Sequence, residues 1–330
     1  MNKIISSSIL TLSLAGLSLS AVADTTIRVT SQLPDTHPVS QNWIEFGKII
    51  EQKSNGELNI QLFPSAQLFK DKEVPEAVGS GAIDAGTTFI GRFAGSVPAV
   101  DVIAVPFIFN DEDNIRAAVA PGSDLRKAID TKILEETGAR VLWWQAYGRN
   151  VYLSNGDPIT EPTDITNKKV RTYGKVHGWT AEALQGAPTL LSGSKQFLAY
   201  QQGAVDVGMT GVSAVKSRKL YEVMDNMTLT FDSAIEFVAV INNDVYESLS
   251  PEEQAIMQDA AKTVEQQLRD QIYAAEAQTV EEMKQHMNVI ELTPEQRNAW
   301  QKATQTVVDR FIEETGETGA EAVSAIRSVQ

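Results

Sequence analysis

The sequence predicts a two-lobed α/β protein: two mixed, mainly parallel sheets flanked by helices, with a long C-terminal helix bracing both lobes. Three observations carry this expectation. The chain has 330 residues, more than one ordinary hydrophobic core organises. A strand–helix–strand rhythm starts at Thr26 and starts again at Ala139. A capped helical pattern begins at Ser250 and persists for over thirty residues, on the order of 50 Å of helix.

The elements follow in order. Thr26–Gln32, "TIRVTSQ", alternates as a strand does. Pro38–Lys53 places Trp43, Phe46 and Ile50 on one helical face and stops at Ser54-Asn55-Gly56, a glycine C-cap signal. Glu57–Phe63 alternates Leu58, Ile60 and Leu62 as a second strand. A short helix near Lys72–Gly79 leads to a strand at Ala82–Phe89. Asp111–Asp113, "DED", lacks calcium-loop spacing and caps the helix that follows. The second round runs through "ARVLWWQAYG", "NVYLSN", "KKVRTY", a helix near Trp179–Leu184, "TLLS", a helix near Gln196–Gln202, and "VDVGMTG". Ser250-Pro251 with Glu253 forms a capping box, after which Ile256, Ala260, Val264, Leu268 and Ile272 share one face. Heptads are not kept, which argues against a coiled coil. A second box, Thr293 to Gln296, opens another helix. In open α/β sheets ligands sit off the carboxyl ends of the strands, so the cleft between the lobes is where a site belongs.

Composition narrows the function. The formal net charge is −15, which argues against nucleic acid and against attachment to anionic lipid. There is no cysteine, hence no disulfide framework, thiol catalysis or lipidated cysteine. The N-terminus has Lys3, an apolar run around Ile9–Leu19 and the small-residue site Ala21-Val22-Ala23, the pattern of a secretory signal peptide cleaved before Asp24. The run is too short to anchor the chain across a membrane. His37, His177 and His286 have no zinc spacing, and no phosphate loop, dinucleotide fingerprint or nucleophile elbow occurs. Together these absences favour binding over catalysis. No cofactor or metal is expected.

Two arginines stand at strand-like positions. Arg149 follows "WWQAYG" and Arg171 lies in "KKVRTYG". The planar guanidinium clasps a carboxylate through two parallel hydrogen bonds. The plainer alternative is that each pairs with a surface acid.

From about residue 25 to 310 the chain resembles the solute-binding proteins of tripartite ATP-independent periplasmic (TRAP) transporters, of the C4-dicarboxylate-binding type. The stretches that carry the resemblance are "NGELNIQLFPSAQLFKDKEVPEAVGSGAIDAG", "VDVIAVPFIF", "DITNKKVRT", "LAYQQGAVDVG", "RKLYEV" and "VINNDVYESLSPEEQ", in that order. The resemblance implies a periplasmic-binding-protein-like fold whose lobes close on a ligand. Residues 24–147 with about 234–270 would form the first lobe, and 148–233 with about 271–330 the second. It implies that Arg171 holds the ligand carboxylate and that Arg149 is a second arginine aimed at it. Asp71, Phe89, Arg92 and Asp232 match positions lining the cleft from the first lobe.

Departures from the family pattern bear on the ligand. Thr210 stands where the family has an asparagine, keeping a hydroxyl but not the amide. Gly193 stands where an aromatic ring often stacks on the ligand, and Gly174 where some members have a polar contact. The room at Gly193, with Asp71, Asp232 and Thr210 for hydroxyls, inclines the expectation to a sugar acid such as a uronate or aldonate. The alternative is a C4-dicarboxylate or another small mono- or dicarboxylate. The implied partners are the membrane subunits of a TRAP transporter, and the implied location is the periplasm. A ligand-sensing partner of a membrane receptor and a secreted hydrolase with dispersed residues are the competing classes. The short tail after Phe311 leads to the expectation of a monomer.

Overall fold

The computed structural model describes residues 24–330; the expected signal peptide, residues 1–23, lies outside the described residues. Ten strands occur among them: β1 (Thr25–Ser31), β2 (Leu58–Phe63), β3 (Ala85–Phe89), β4 (Ala139–Ser154), β5 (Lys169–Thr172), β6 (Ala187–Leu190), β7 (Val207–Gly211), β8 (Asn226–Leu229), β9 (Ala234–Asn242) and β10 (Asn288–Glu291). The main path runs β2-β1-β3-β9-β4-β7-β5-β6, with β8 and β10 branching from β4.

The α/β class is as expected, and the two half-sheets are mixed. β1 pairs parallel with β2 and β3, and β5 pairs parallel with β6 and β7. The strands that join these groups, β4 and β9, pair antiparallel with their neighbours. β9 carries no alternation because all nine of its residues are buried, as befits a strand covered on both faces. It is therefore silent to a search for period-two patterns.

β4 corrects the sequence-based division at Gly148. "ARVLWWQAYG" and "NVYLSN" are one 16-residue strand. Residues Ala139–Arg149 pair with β9, and Asn150–Ser154 pair with β7. The register shifts between Ala146 and Gly148, where Gly148 takes φ +121°, a value that side chains rarely tolerate. The glycine bends the strand between the half-sheets rather than ending it.

Helices form where their caps specify. Pro38–Lys53 has the expected limits, with His37 as its N-cap: Val39 N–H donates to His37 Nδ1. Asp111 caps the helix Glu112–Ala118. Both capping boxes, at Ser250 and Thr293, are present. The helix Pro251–Met283 spans 33 residues and serves three clusters in turn. Its Met257, Ala260 and Val264 pack with Trp43, Phe46 and β1. Leu268 and Ile272 join the central core, and Val280 and Met283 pack with Val212 and with Met227 of β8. It is the brace the sequence predicted. The tail after Phe311 is longer in structure than its sequence implied. The segment Thr306–Arg327 is helical with a break at Gly316, and Val323 and Ile326 return to the central core.

Candidate functional site

The carboxyl ends of β1, β3, β5 and β7 converge on one cavity beside the crossing strands β4 and β9. Its walls include Gln32 after β1, Asp71, Phe89 at the end of β3, Arg92 in the following turn, Arg171 on β5, Thr210 on β7, and Tyr147 and Phe237 on the crossing strands. About 30 Å³ of it admits the centre of a water-sized sphere. That space is well below the volume of ordinary ligand cavities.

Arg171 is the feature on which the cavity turns. It is 2 % exposed and takes part in no ion pair among the described residues. Its Nε and Nη2 donate to Leu191 O at 3.2 and 2.8 Å, and Nη1 donates to Met209 O. Two backbone carbonyls thus fix the guanidinium and occupy three of its five N–H donors, leaving one on each terminal nitrogen. Its face packs on Tyr173 with Cζ 5.2 Å from the ring centre. Burial, then the neighbouring Arg92, weaken its hold on the proton, and no carboxylate offsets them. A buried cation held only by neutral acceptors lacks a counter-charge.

Arg92 is neutralised. Its Nε donates to Asp71, whose other oxygen accepts from Thr88 Oγ1 at 2.9 Å and Phe89 N at 3.0 Å. Asp71 is fully buried and positions Arg92 at the cavity edge. Phe89 is 1 % exposed and meets Tyr173 edge-on, with centroids 5.1 Å apart. His177 stacks on Tyr173 at 3.8 Å. Burial, with Arg171 and Arg92 nearby, depresses His177 to about 3, so it packs behind Tyr173 as a neutral ring.

Five of the seven expected residues line this cavity: Asp71, Phe89, Arg92, Arg171 and Thr210. The other two require correction. Arg149 faces a different cavity, with Phe231, Glu276 and Arg297. Its Nη2 lies 2.6 Å from Glu276 Oε1, its backbone N donates to Oε2 at 2.7 Å, and its guanidinium lies 3.8 Å from the Phe231 ring centre. Its charge is answered there by Glu276. Asp232 does not line the cavity either. Its Oδ1 accepts from Asn150 Nδ2 and Thr230 Oγ1, both at 2.9 Å, and Asn150 Oδ1 in turn accepts from Tyr173 O–H at 3.0 Å. Asp232 stands behind the wall and orients Tyr173 through Asn150.

Sequence reasoning missed Arg218, Gln32 and Gln196. Arg218 lines the cavity, donates from Nη2 to Gln32 O at 3.3 Å, and has a buried Nε with no acceptor. Its stretch, "RKLYEV", was visible as a motif but carried no role. Gln32 Oε1 is also buried without a donor. Gly193 lies in the wall as expected, but the space beside it is taken. A Cβ there would stand 2.9 Å from Gln32 Oε1, 3.2 Å from Arg218 Nη2 and 3.4 Å from Gln196 Nε2. Gly174 is closed off from the cavity by His177 and Phe89.

Residues 29–315 match the family described as bacterial extracellular solute-binding protein, family 7. The chain belongs to this family. A curated relative, the 2,3-diketo-L-gulonate-binding periplasmic protein YiaO of Escherichia coli K12, is 26 % identical over 96 % of each chain. Among solved structures, a TRAP periplasmic solute-binding protein of Sulfurospirillum deleyianum with bound succinate has a TM-score of 0.87 at 23 % identity, covering 93 % of this chain and all of that one. Another, from Sulfitobacter sp. NAS-14.1 with bound β-D-galacturonate, has a TM-score of 0.85 at 22 % identity, covering 92 % and 100 %. By its family this chain is a solute-binding protein and not an enzyme. No helix among its described residues is long and apolar enough to cross a membrane.

Proposed function

We propose that this family-7 protein captures an organic acid anion in the periplasm and presents it to the membrane subunits of a TRAP transporter. Arg171 takes the carboxylate. The observation that carries this is its burial, with two free N–H donors and no acid partner. Residues from the two half-sheets wall the same cavity, so a ligand would bridge them and favour closure of one lobe on the other. Water exclusion then strengthens each charged hydrogen bond.

The cavity supports a compact acid over a sugar acid. The expectation of a uronate or aldonate rested on empty space at Gly193, and Gln32, Gln196 and Arg218 occupy that space. Asp232, one of the groups assigned to sugar hydroxyls, is spent on Asn150 and Thr230.

A thermal-shift screen of small organic acids, uronates and aldonates tests the reading, since ligand at 100-fold its Kd adds about 2.7 kcal/mol. Calorimetry on the best ligand then compares Arg171→Lys with the parent. Loss of the planar fork beside a buried carboxylate should weaken binding by about 2–5 kcal/mol. Unchanged affinity would remove Arg171 from the site.

A further inference from the structure

His37 is fully buried just outside the cavity wall. It follows β1 on the first half-sheet and caps the helix Pro38–Lys53, yet its ring reaches the second half-sheet. Nδ1 accepts from Val39 N–H at 3.1 Å, which puts the imidazole proton on Nε2. Nε2 then donates to Ser213 Oγ at 3.2 Å, in the helix Val212–Ser217 that follows β7. Ser213 Oγ in turn donates to Tyr147 O at 3.3 Å. The His37 ring also stacks on Tyr147, with centroids 4.8 Å apart, and Tyr147 stacks on Phe237 at 4.7 Å. Tyr147 and Phe237 both line the cavity, so His37 stands one ring behind its wall.

We propose that His37 is a positioning residue that makes ligand capture acid-sensitive: the neutral ring stacks on Tyr147 and bridges to Ser213 across the cleft, and the protonated ring cannot. The inference rests on the reading that the two half-sheets close on a ligand. The geometry supplies the bias. A second proton would sit on Nδ1, where Val39 N–H already points. The resulting charge would be enclosed beside Arg218, and no carboxylate among the described residues pairs with the ring. The other titratable group against it is Tyr147, whose hydroxyl bonds Arg218, with Asp71 acting on both from farther away. Parting the half-sheets takes His37 away from Ser213 and opens the ring to water, where the charge is tolerated.

The direction of the pH effect follows. Burial, then Arg218, hold His37 down to about 3 in this arrangement, against an ordinary value of about 6.5. The open form therefore binds the proton more tightly. The contribution of His37 to closure is complete above about pH 6.5 and is lost progressively as pH falls below it.

Calorimetry with succinate, lactate and galacturonate at pH 7.5 and pH 5, on the parent and His37→Asn, tests this. Asparagine keeps a helix cap but neither stacks nor titrates. Asp101 also titrates in this range, so the readout is the ratio of parent to variant affinity at each pH, in which Asp101 and the carboxyls of the acid cancel. At pH 7.5 the parent should bind at least about fivefold more tightly than His37→Asn. At pH 5 that advantage should be at least about fivefold smaller. A ratio that is the same at both pH values, or equal affinities throughout, would overturn the inference. NMR titration of the histidine rings in the isotope-labelled parent decides the matter even if His37→Asn does not fold. The His37 midpoint should drop by at least about one pH unit when the acid is bound, and a midpoint that the acid does not move would overturn the inference. If Arg171→Lys weakens binding while the His37→Asn ratio is independent of pH, the role of His37 alone falls. If none of the three acids binds at pH 7.5, the reading of an organic-acid site falls, and this inference with it.

Discussion

Arg149 and Arg171 each pack on an aromatic ring and each lie within a strand, yet their partners divide them. Arg149 meets Glu276, 127 residues away in sequence, and Arg171 meets only carbonyls. Spacing along the chain cannot reveal that partner, so the sequence offered both arginines to one ligand. Asp71, Phe89, Arg92 and Thr210 were legible because they lie in short motifs at strand ends. Arg218 and Gln32 were not, because only the folded chain brings them, from positions 186 residues apart, to the cavity. Arg149→Met should leave ligand affinity within about threefold but destabilise the fold by about 3–5 kcal/mol in urea titrations, because it strands the buried Glu276 carboxylate. Asp101 makes a pH-dependent counterpart. It is 2 % exposed, its Oδ1 has no partner, and burial pushes its carboxyl up to about 7. A carboxyl raised from 3.8 in the folded state binds its proton more tightly there, so its contribution is full below pH 3.8 and lost as pH rises through about 7. Asp101→Asn should therefore be more stable than the parent at pH 8, by up to about 4 kcal/mol, with the gain shrinking towards pH 5. A difference that does not change with pH would exclude Asp101 as the source.

Among the elements, helices were read most closely, because their caps are local. Pro38–Lys53 and the two capping boxes depend on residues within a turn of each other. β9 and β10 were missed for opposite reasons. β9 is buried throughout and has no alternation, while β10 is four residues long and pairs with distant β8. β4 was seen but cut at Gly148, since a glycine within a strand marks either an end or a bulge and only pairing distinguishes them. At this position φ is +121° and a Cβ would stand 2.6 Å from Glu276 Oε2. Gly148→Ala should destabilise the protein by more than about 1 kcal/mol, since it meets both backbone strain and a held carboxylate. Denaturant titration checks it, and a neutral result would show that the bulge relaxes.

At the scale of the whole molecule, the helix Pro251–Met283 ties three clusters into one body, and β4 and β9 pass between the half-sheets. The cavity lies beside that crossing, so a ligand there touches groups from both sides at once. The family was legible in the sequence because its motifs recur in order along the chain; the shape of the cavity was not, because Gly193 reports a missing ring without saying what fills the space. If the proposed closure occurs, small-angle scattering should show a smaller radius of gyration on addition of a binding acid, and no change in Arg171→Ala. The most direct measurement is a crystal structure of the protein with a bound organic acid. The account predicts a carboxylate within hydrogen-bonding distance of Arg171 Nη1 and Nη2, with Arg149 still on Glu276. A carboxylate held by Arg149, with Arg171 bound only to Leu191 and Met209, would contradict it.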